Sequence, residues 1–273
     1  MSNKALILDL DNTLYNWTDA YVAGMQAQVR YLSQKLGRKE STLLKHFKSV
    51  FKKYGSVEVP NAVKELGIWE HLNLLETDRV KIEDEAWNLF IGEFGNNLCL
   101  FPGVKETLIW AKEKGVFVFG FSDSFSYWIN WRLNLLGILN LFDKVYAQDN
   151  SLISSCSPVD VSTCSEIIVT IGANELKPST TVIQHIKTQY GLQKKDIYMI
   201  GDSIAKDICT AQASNINDIW AKYGTRNKPG AGAILGTITP WTSEDRKLRM
   251  QANLTIKPTY SVSRFEEIKE ILN

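Results

Sequence analysis

Residues 5–10, Ala-Leu-Ile-Leu-Asp-Leu, form a nearly unbroken apolar run that ends in acidic and turn residues. Such a run suits a strand buried on both faces of a parallel sheet. Similar runs lie at 116–121, 144–147, 197–200 and 218–222. Between them, apolar residues recur at helical steps. Val104, Leu108 and Ala111 make a stripe that stops at Gly115, and Trp128, Leu133 and Leu136 make one that stops at Gly137. Val182, Ile186 and Tyr190 make a third, opened by Pro178 and closed by Gly191. Strands alternating with helices of this length predict an α/β protein with a Rossmann-like, doubly wound parallel sheet.

One block interrupts that rhythm. From residue 16 to 98 the pattern is helical throughout. Val22, Met25, Val29, Leu32 and Leu36 run to Gly37, and Leu43, Leu44, Phe47, Val50, Phe51 and Tyr54 run to Gly55. This predicts an α-helical domain over 16–98, inserted just after the first strand, with 1–15 and 99–273 forming the α/β core. Phe101-Pro102-Gly103 marks the return to the sheet. Two further stretches exceed a minimal α/β unit. Residues 148–176 are rich in Ser, Thr and Asn around the apolar run 167–171, which suggests a small hairpin or an active-site flap. Residues 224–258 form an extension whose charged segment 243–250 suits a short helix.

Composition narrows the class. Apolar residues make up 44% and charged residues 22%, ordinary values for a globular chain of 273 residues and not for a disordered one. The formal net charge of +1 supplies no global field for a nucleic acid polymer or an anionic membrane. The basic cluster at 45–53 lies on a helical pattern and reads as a solvated face. Cys99, Cys156, Cys164 and Cys209 show no zinc spacing and read as reduced thiols, with a Cys156–Cys164 bridge as the lesser alternative. The apolar run near the N-terminus is too short for a signal peptide, and no stretch approaches a membrane span, so the expected location is cytoplasmic. Nothing in the sequence sets the oligomeric state.

The candidate chemistry sits at the predicted strand ends, where open α/β sheets bind ligands. The first strand ends in Asp9-Leu10-Asp11-Asn12-Thr13-Leu14-Tyr15. Two buried carboxylates so close repel unless a divalent cation or a proton intervenes, although a lone D-x-D also serves as an acidic turn. The second strand ends at Ser122-Asp123, whose hydroxyl and backbone amide suit phosphate oxygens. Lys177-Pro178 opens a helix, where a lysine can neutralise phosphoryl charge. A later strand ends in Gly201-Asp202-Ser203-Ile204-Ala205-Lys206-Asp207. Gly201 permits the sharp turn and Asp202 is a hard oxygen ligand suited to Mg²⁺. Asp207 lies on the first turn of the next helix, where an acid is also favourable without any metal.

Together these four segments, in this order, resemble the haloacid dehalogenase superfamily, in its phosphatase branch with a helical cap between the first motif and the second strand. The resemblance covers residues 4 to about 222 and implies roles. Asp9 is the expected nucleophile that forms an aspartyl-phosphate, and Asp11 the expected general acid and base. Ser122, Asp123 and Lys177 are expected to bind the transferring group. Mg²⁺ is expected on Asp9, the backbone carbonyl of Asp11, and Asp202, with Asp207 assisting. The implied function is a Mg²⁺-dependent phosphatase for a small phosphorylated metabolite. Three alternatives stay open: a nucleoside 5′-monophosphate phosphatase, suggested by Lys53-Tyr54-Gly55; a phosphomutase using the same residues; and a catalytically silent binding module. A dehalogenase is disfavoured because it has no use for an acid at position 11. Trp17, Tyr21 and Trp69 are pocket candidates that packing explains equally well, and His46, His71 and His185 lie outside every motif.

Overall fold

The computed structural model describes residues 4–153 and 165–272 of the chain. Seven strands form one sheet: β1 (Ala5–Leu8), β2 (Phe117–Phe125), β3 (Lys144–Gln148), β4 (Ile168–Ile171), β5 (Ile197–Gly201), β6 (Asn217–Ala221) and β7 (Tyr260–Val262). All neighbours are parallel, in the order β4-β3-β2-β1-β5-β6-β7. The first strand is therefore central, and every one of its residues is buried. Period-two alternation splits its side chains between two layers. Leu6 and Leu8 join the larger core, while Ala5 and Ile7 pack with Phe119, Phe121, Ile197 and Met199 on the other face.

Between β1 and β2 lie three long helices, α1 (Trp17–Leu36), α2 (Glu40–Tyr54) and α3 (Glu76–Asn97), and no strand. The first pair end on Gly37 and Gly55, both left-handed at φ 62° and 66°, a conformation that only glycine adopts freely. Met25, Val29 and Leu32 of α1 and Phe47, Val50 and Phe51 of α2 are buried in the shared apolar core. After β2 come α5 (Ser126–Leu135) and, after β4, α6 (Thr181–Tyr190), with α4 (Val104–Glu113) leading into β2. A single π-helical turn, Ile204–Ile208, runs into α7 (Cys209–Ala213). The C-terminal part adds α8 (Ala231–Ile238), α9 (Ser243–Thr255) and α10 (Ile268–Leu272). Helix α8 packs against α1 and α2, so the extension reaches the inserted helices.

Three features differ from the sequence expectation. The run 167–171 is not part of a hairpin: as β4 it pairs with β3 in parallel and extends the sheet. Residues 154–164 of the supposed flap, with Cys156 and Cys164, lie outside the described residues. Strand β2 does not stop at Phe121 but continues through Ser122 and Asp123 to Phe125, with a register shift between Ser122 and Phe125 that bends it beside the strand ends. The extension holds α8 besides the helix expected at 243–250, which runs on to Thr255 as α9, and a three-residue edge strand, β7, follows it. Two of the three β7 residues are exposed, so its sequence carries no strand signal. Among the described residues, no helix is long and apolar enough to cross a membrane.

Candidate active site

The strand ends converge on a cavity of about 730 Å³. Asp9 follows β1, and its backbone N–H donates to the Ile200 carbonyl at 2.9 Å, which keeps the chain on the sheet axis one residue past the strand. The loop then turns through Asn12, at φ 60°, where an asparagine side chain tolerates the left-handed region. The side chain of Asn12 pins that turn to the start of α1 by exchanging hydrogen bonds with Thr18, both at 3.0 Å. Thr13 faces back into the site. Its Oγ1 donates to Asp9 Oδ2 at 2.7 Å and accepts from the Asp202 N–H at 3.1 Å, tying the first loop to the fourth.

Lys177 stands at the centre. Its buried Nζ donates to Asp9 Oδ1 at 2.5 Å and to Asp207 Oδ1 at 2.7 Å, and its backbone N–H donates to Asp123 Oδ1 at 2.9 Å. Burial alone would lower the lysine, but Asp207, Asp9 and Asp123 outweigh it and hold the ammonium well above its ordinary value. Burial alone would raise Asp123, yet Lys177 and Lys206 hold it below the ordinary carboxylate range. Lys206 donates to its second oxygen at 2.5 Å. Ser122 is fully buried, and its Oγ accepts from the Ser124 N–H at 3.1 Å.

Asp9, Asp202 and Asp207 each bring a carboxylate oxygen within 4.8 Å of the others. The π-helical turn aims Asp207 inward, and the Ser203 N–H donates to its Oδ2 at 2.9 Å. Gly201 leaves the room this needs, because a Cβ there would stand 2.2 Å from the Asp207 carboxyl carbon. Burial and the charges of Asp9 and Asp207 push Asp202 well above its ordinary value. Burial, partly offset by Lys177, raises Asp207 to about 6. Three hard oxygen donors whose mutual repulsion is only partly neutralised by one ammonium fit a small divalent cation such as Mg²⁺.

Asp11 points elsewhere. Its Oδ2 faces Arg132 Nη2 at 3.4 Å, on the side of the cavity lined by the inserted helices. Burial, partly offset by Arg132, and the nearby charges of Glu58 and Asp9 raise its carboxyl to about 7. Arg132 has no exposed surface; it binds Glu58 Oε1 at 2.5 Å and also Ser124 Oγ, which in turn donates to Glu58. Trp17 Nε1 donates to Glu58 Oε1 at 3.1 Å and Trp128 Nε1 to the Glu58 carbonyl at 2.8 Å, so the loop after α2 is fastened to β2 and α5.

All seven residues singled out in the sequence, Asp9, Asp11, Ser122, Asp123, Lys177, Asp202 and Asp207, line this one cavity. Trp17 lines it too, whereas Tyr21 and Trp69 are buried in the apolar core and no histidine lines it. Sequence reasoning missed Glu58, Arg132, Lys206, Trp241 and Arg249. Arg132 had a signal: it lies four residues after Trp128, so it shares a face with an apolar helix stripe. Glu58 had none, since its partner is 74 residues away in the chain.

The family model for haloacid dehalogenase-like hydrolases matches residues 3–215. A phosphoglycolate phosphatase from Nitrosococcus oceani is 26% identical over 144 residues, 51% of this chain and 54% of that protein, so the match spans about half the length of this curated relative. Among solved structures, a HAD phosphatase from Thermococcus onnurineus has a TM-score of 0.59 at 16% identity, covering 99% of this chain and 98% of that one. A 2-haloacid dehalogenase from Pseudomonas syringae pv. Tomato DC3000 has a TM-score of 0.58 at 17% identity, covering 98% and 97%. The same fold thus serves two chemistries, and likeness at this level speaks to architecture alone. With its sheet, its converging strand ends and a family match over most of its length, the chain belongs to the haloacid dehalogenase-like hydrolases.

Proposed function

We propose that this protein is a Mg²⁺-dependent phosphatase that hydrolyses a small phosphorylated metabolite through an aspartyl-phosphate on Asp9. The observation that carries the reading is the division of labour between two carboxylates two residues apart. Asp9 accepts a hydrogen bond from the buried Lys177 ammonium, while burial raises Asp11 to about 7, so that Asp11 keeps a proton near neutral pH. A nucleophile and an acid are thereby distinguished by their surroundings. A dehalogenase would have no use for the second group.

In this mechanism a carboxylate oxygen of Asp9 attacks phosphorus in line, and the bond to the ester oxygen breaks. Asp11 gives its proton to that departing oxygen. Lys177 and Ser122 hold the non-bridging oxygens of the transferring group. Asp11, now a carboxylate, takes a proton from the water that attacks phosphorus in the aspartyl-phosphate. Phosphate leaves, and both carboxyl groups return to their starting states. When bound, Mg²⁺ supplies positive charge that lets an anionic nucleophile meet an anionic ester, and Asp9, Asp202, Asp207 and the backbone carbonyl of Asp11 would hold it. Residues 16–98 act as a cap in this account, with the loop Gly55 to Glu58 lining the cavity from above the sheet ends.

The test is release of phosphate from an aryl phosphate. Turnover is expected with Mg²⁺, to stop on chelation and to return when Mg²⁺ is restored. Turnover that persists in excess chelator contradicts the metal assignment, and no turnover under any of these conditions contradicts the phosphatase.

A further inference from the structure

Three cations line the cavity among the described residues: Lys177, Lys206 and Arg249. The two lysines are committed to carboxylates, Lys177 to Asp9 and Asp207, and Lys206 to Asp123. Arg249 differs. It forms no hydrogen bond or ion pair with any described residue, and its guanidinium carbon stands 3.8 Å from the centroid of the Trp241 ring.

The local fold holds that pair at the mouth of the site. Thr242 caps α9, accepting from the Asp245 N–H at 3.1 Å while Asp245 Oδ2 accepts from the Thr242 N–H at 2.7 Å. Trp241 therefore sits immediately before the helix, and Arg249 lies about two turns along it. Helix α9 packs on the turn that carries Asp207. Arg249 consequently lines both the main cavity and a second one, of about 350 Å³, on the far side of Asp202 and Ser203.

A half-buried guanidinium without an acceptor is unusual, because its five donors lose water and gain nothing in return. Burial lowers Arg249 from its ordinary value, with Asp202 and Asp123 only partly compensating. Stacking on an indole holds a guanidinium in place while its N–H edges stay free, which is how arginines are prepared for bidentate carboxylate or phosphate recognition.

We propose that Arg249, held by Trp241, receives a second anionic group of the substrate, so that the enzyme selects small phosphate esters that carry another carboxylate or phosphate. The assignment rests on the phosphatase reading above. It makes the C-terminal extension, beyond the residues matched by the family model, a specificity element: the transferring phosphoryl group meets Lys177 and Asp9, and the remote anion meets Arg249.

The experiment compares kcat/KM for propyl phosphate, the matching phosphorylated hydroxypropanoate and the bisphosphate of propanediol, with an aryl phosphate as the activity control. Wild type is expected to favour at least one two-anion ester over propyl phosphate by about tenfold or more, the scale of one charge-assisted hydrogen bond. Arg249→Gln is expected to erase that preference mainly through KM, and Arg249→Lys to keep part of it. Which ester holds the preference tells carboxylate from phosphate. A wild-type ratio near one, or a ratio that Arg249→Gln leaves unchanged, overturns the Arg249 assignment while aryl phosphate turnover leaves the phosphatase standing. Failure of wild type to hydrolyse any of the four esters overturns both.

Discussion

At the scale of single residues, Arg132 is the most consequential group outside the proposed catalytic set. A guanidinium with no exposed surface must find its counter-charges inside the protein, and it finds Glu58 from the insert and Asp11 from the loop after β1. Removing one partner of such a pair leaves the other buried and uncompensated, at a cost of about 3–5 kcal/mol. Arg132→Met is expected to lose that much in urea denaturation. Adding Glu58→Leu is expected to recover part of it, because the stranded carboxylate goes too; strictly additive losses would contradict the coupling. The residues legible in the sequence were those whose position follows from local rules. Asp9, Ser122 and Asp202 stand at or just beyond the ends of apolar runs, and Lys177 and Asp207 near helix starts. Glu58 and Arg132 belong to a contact between distant segments that no local periodicity encodes. Arg249 was hidden in the same way, on a charged helix that reads as solvated surface.

Among the elements, the sheet was legible where strands are buried on both faces and obscure where they are not. Strands β1, β2, β3, β5 and β6 appear as apolar runs, whereas β4 is a short apolar run within a polar stretch, with only one of its four residues buried, and β7 is mostly exposed. The bend in β2 was invisible because a register shift depends on the partner strand. The turn at Lys222–Thr225 shows how tightly the loops at the strand ends are fitted. A Cβ on Gly224 would stand 1.9 Å from the Asn12 carbonyl oxygen and 2.9 Å from Asp202 Cβ. Neither a backbone carbonyl nor the loop that carries Asp202 into the cavity can yield cheaply. Gly224→Ala is therefore expected to lower stability by about 1–3 kcal/mol and to reduce Mg²⁺-dependent turnover together. A denaturation midpoint and a turnover rate that both match wild type would show that the two loops are more loosely packed than described.

The whole molecule places a site at the carboxyl ends of the central strands of its sheet and surrounds it with segments that come from far apart in the chain. Lys177 and Asp9 are 168 residues apart, and the inserted helices and the C-terminal extension both contribute to the cavity wall. The α/β class and the helical insert could be read from the sequence because both are written as repeated periodicities. The meeting of insert and extension through α8 could not, since it follows from how the finished elements pack. The central claim is that Asp9 becomes covalently phosphorylated while Asp11 governs its release. Its most direct test is acid-quench mass spectrometry of the Asp11→Asn variant after mixing with Mg²⁺ and a phosphate ester that the wild type hydrolyses. The account predicts one added phosphoryl group, mapped to the peptide containing Asp9 and absent when Asp9→Asn is introduced as well. Continued phosphate release by an Asp9→Asn variant, with no phosphoryl group on that peptide, would contradict it.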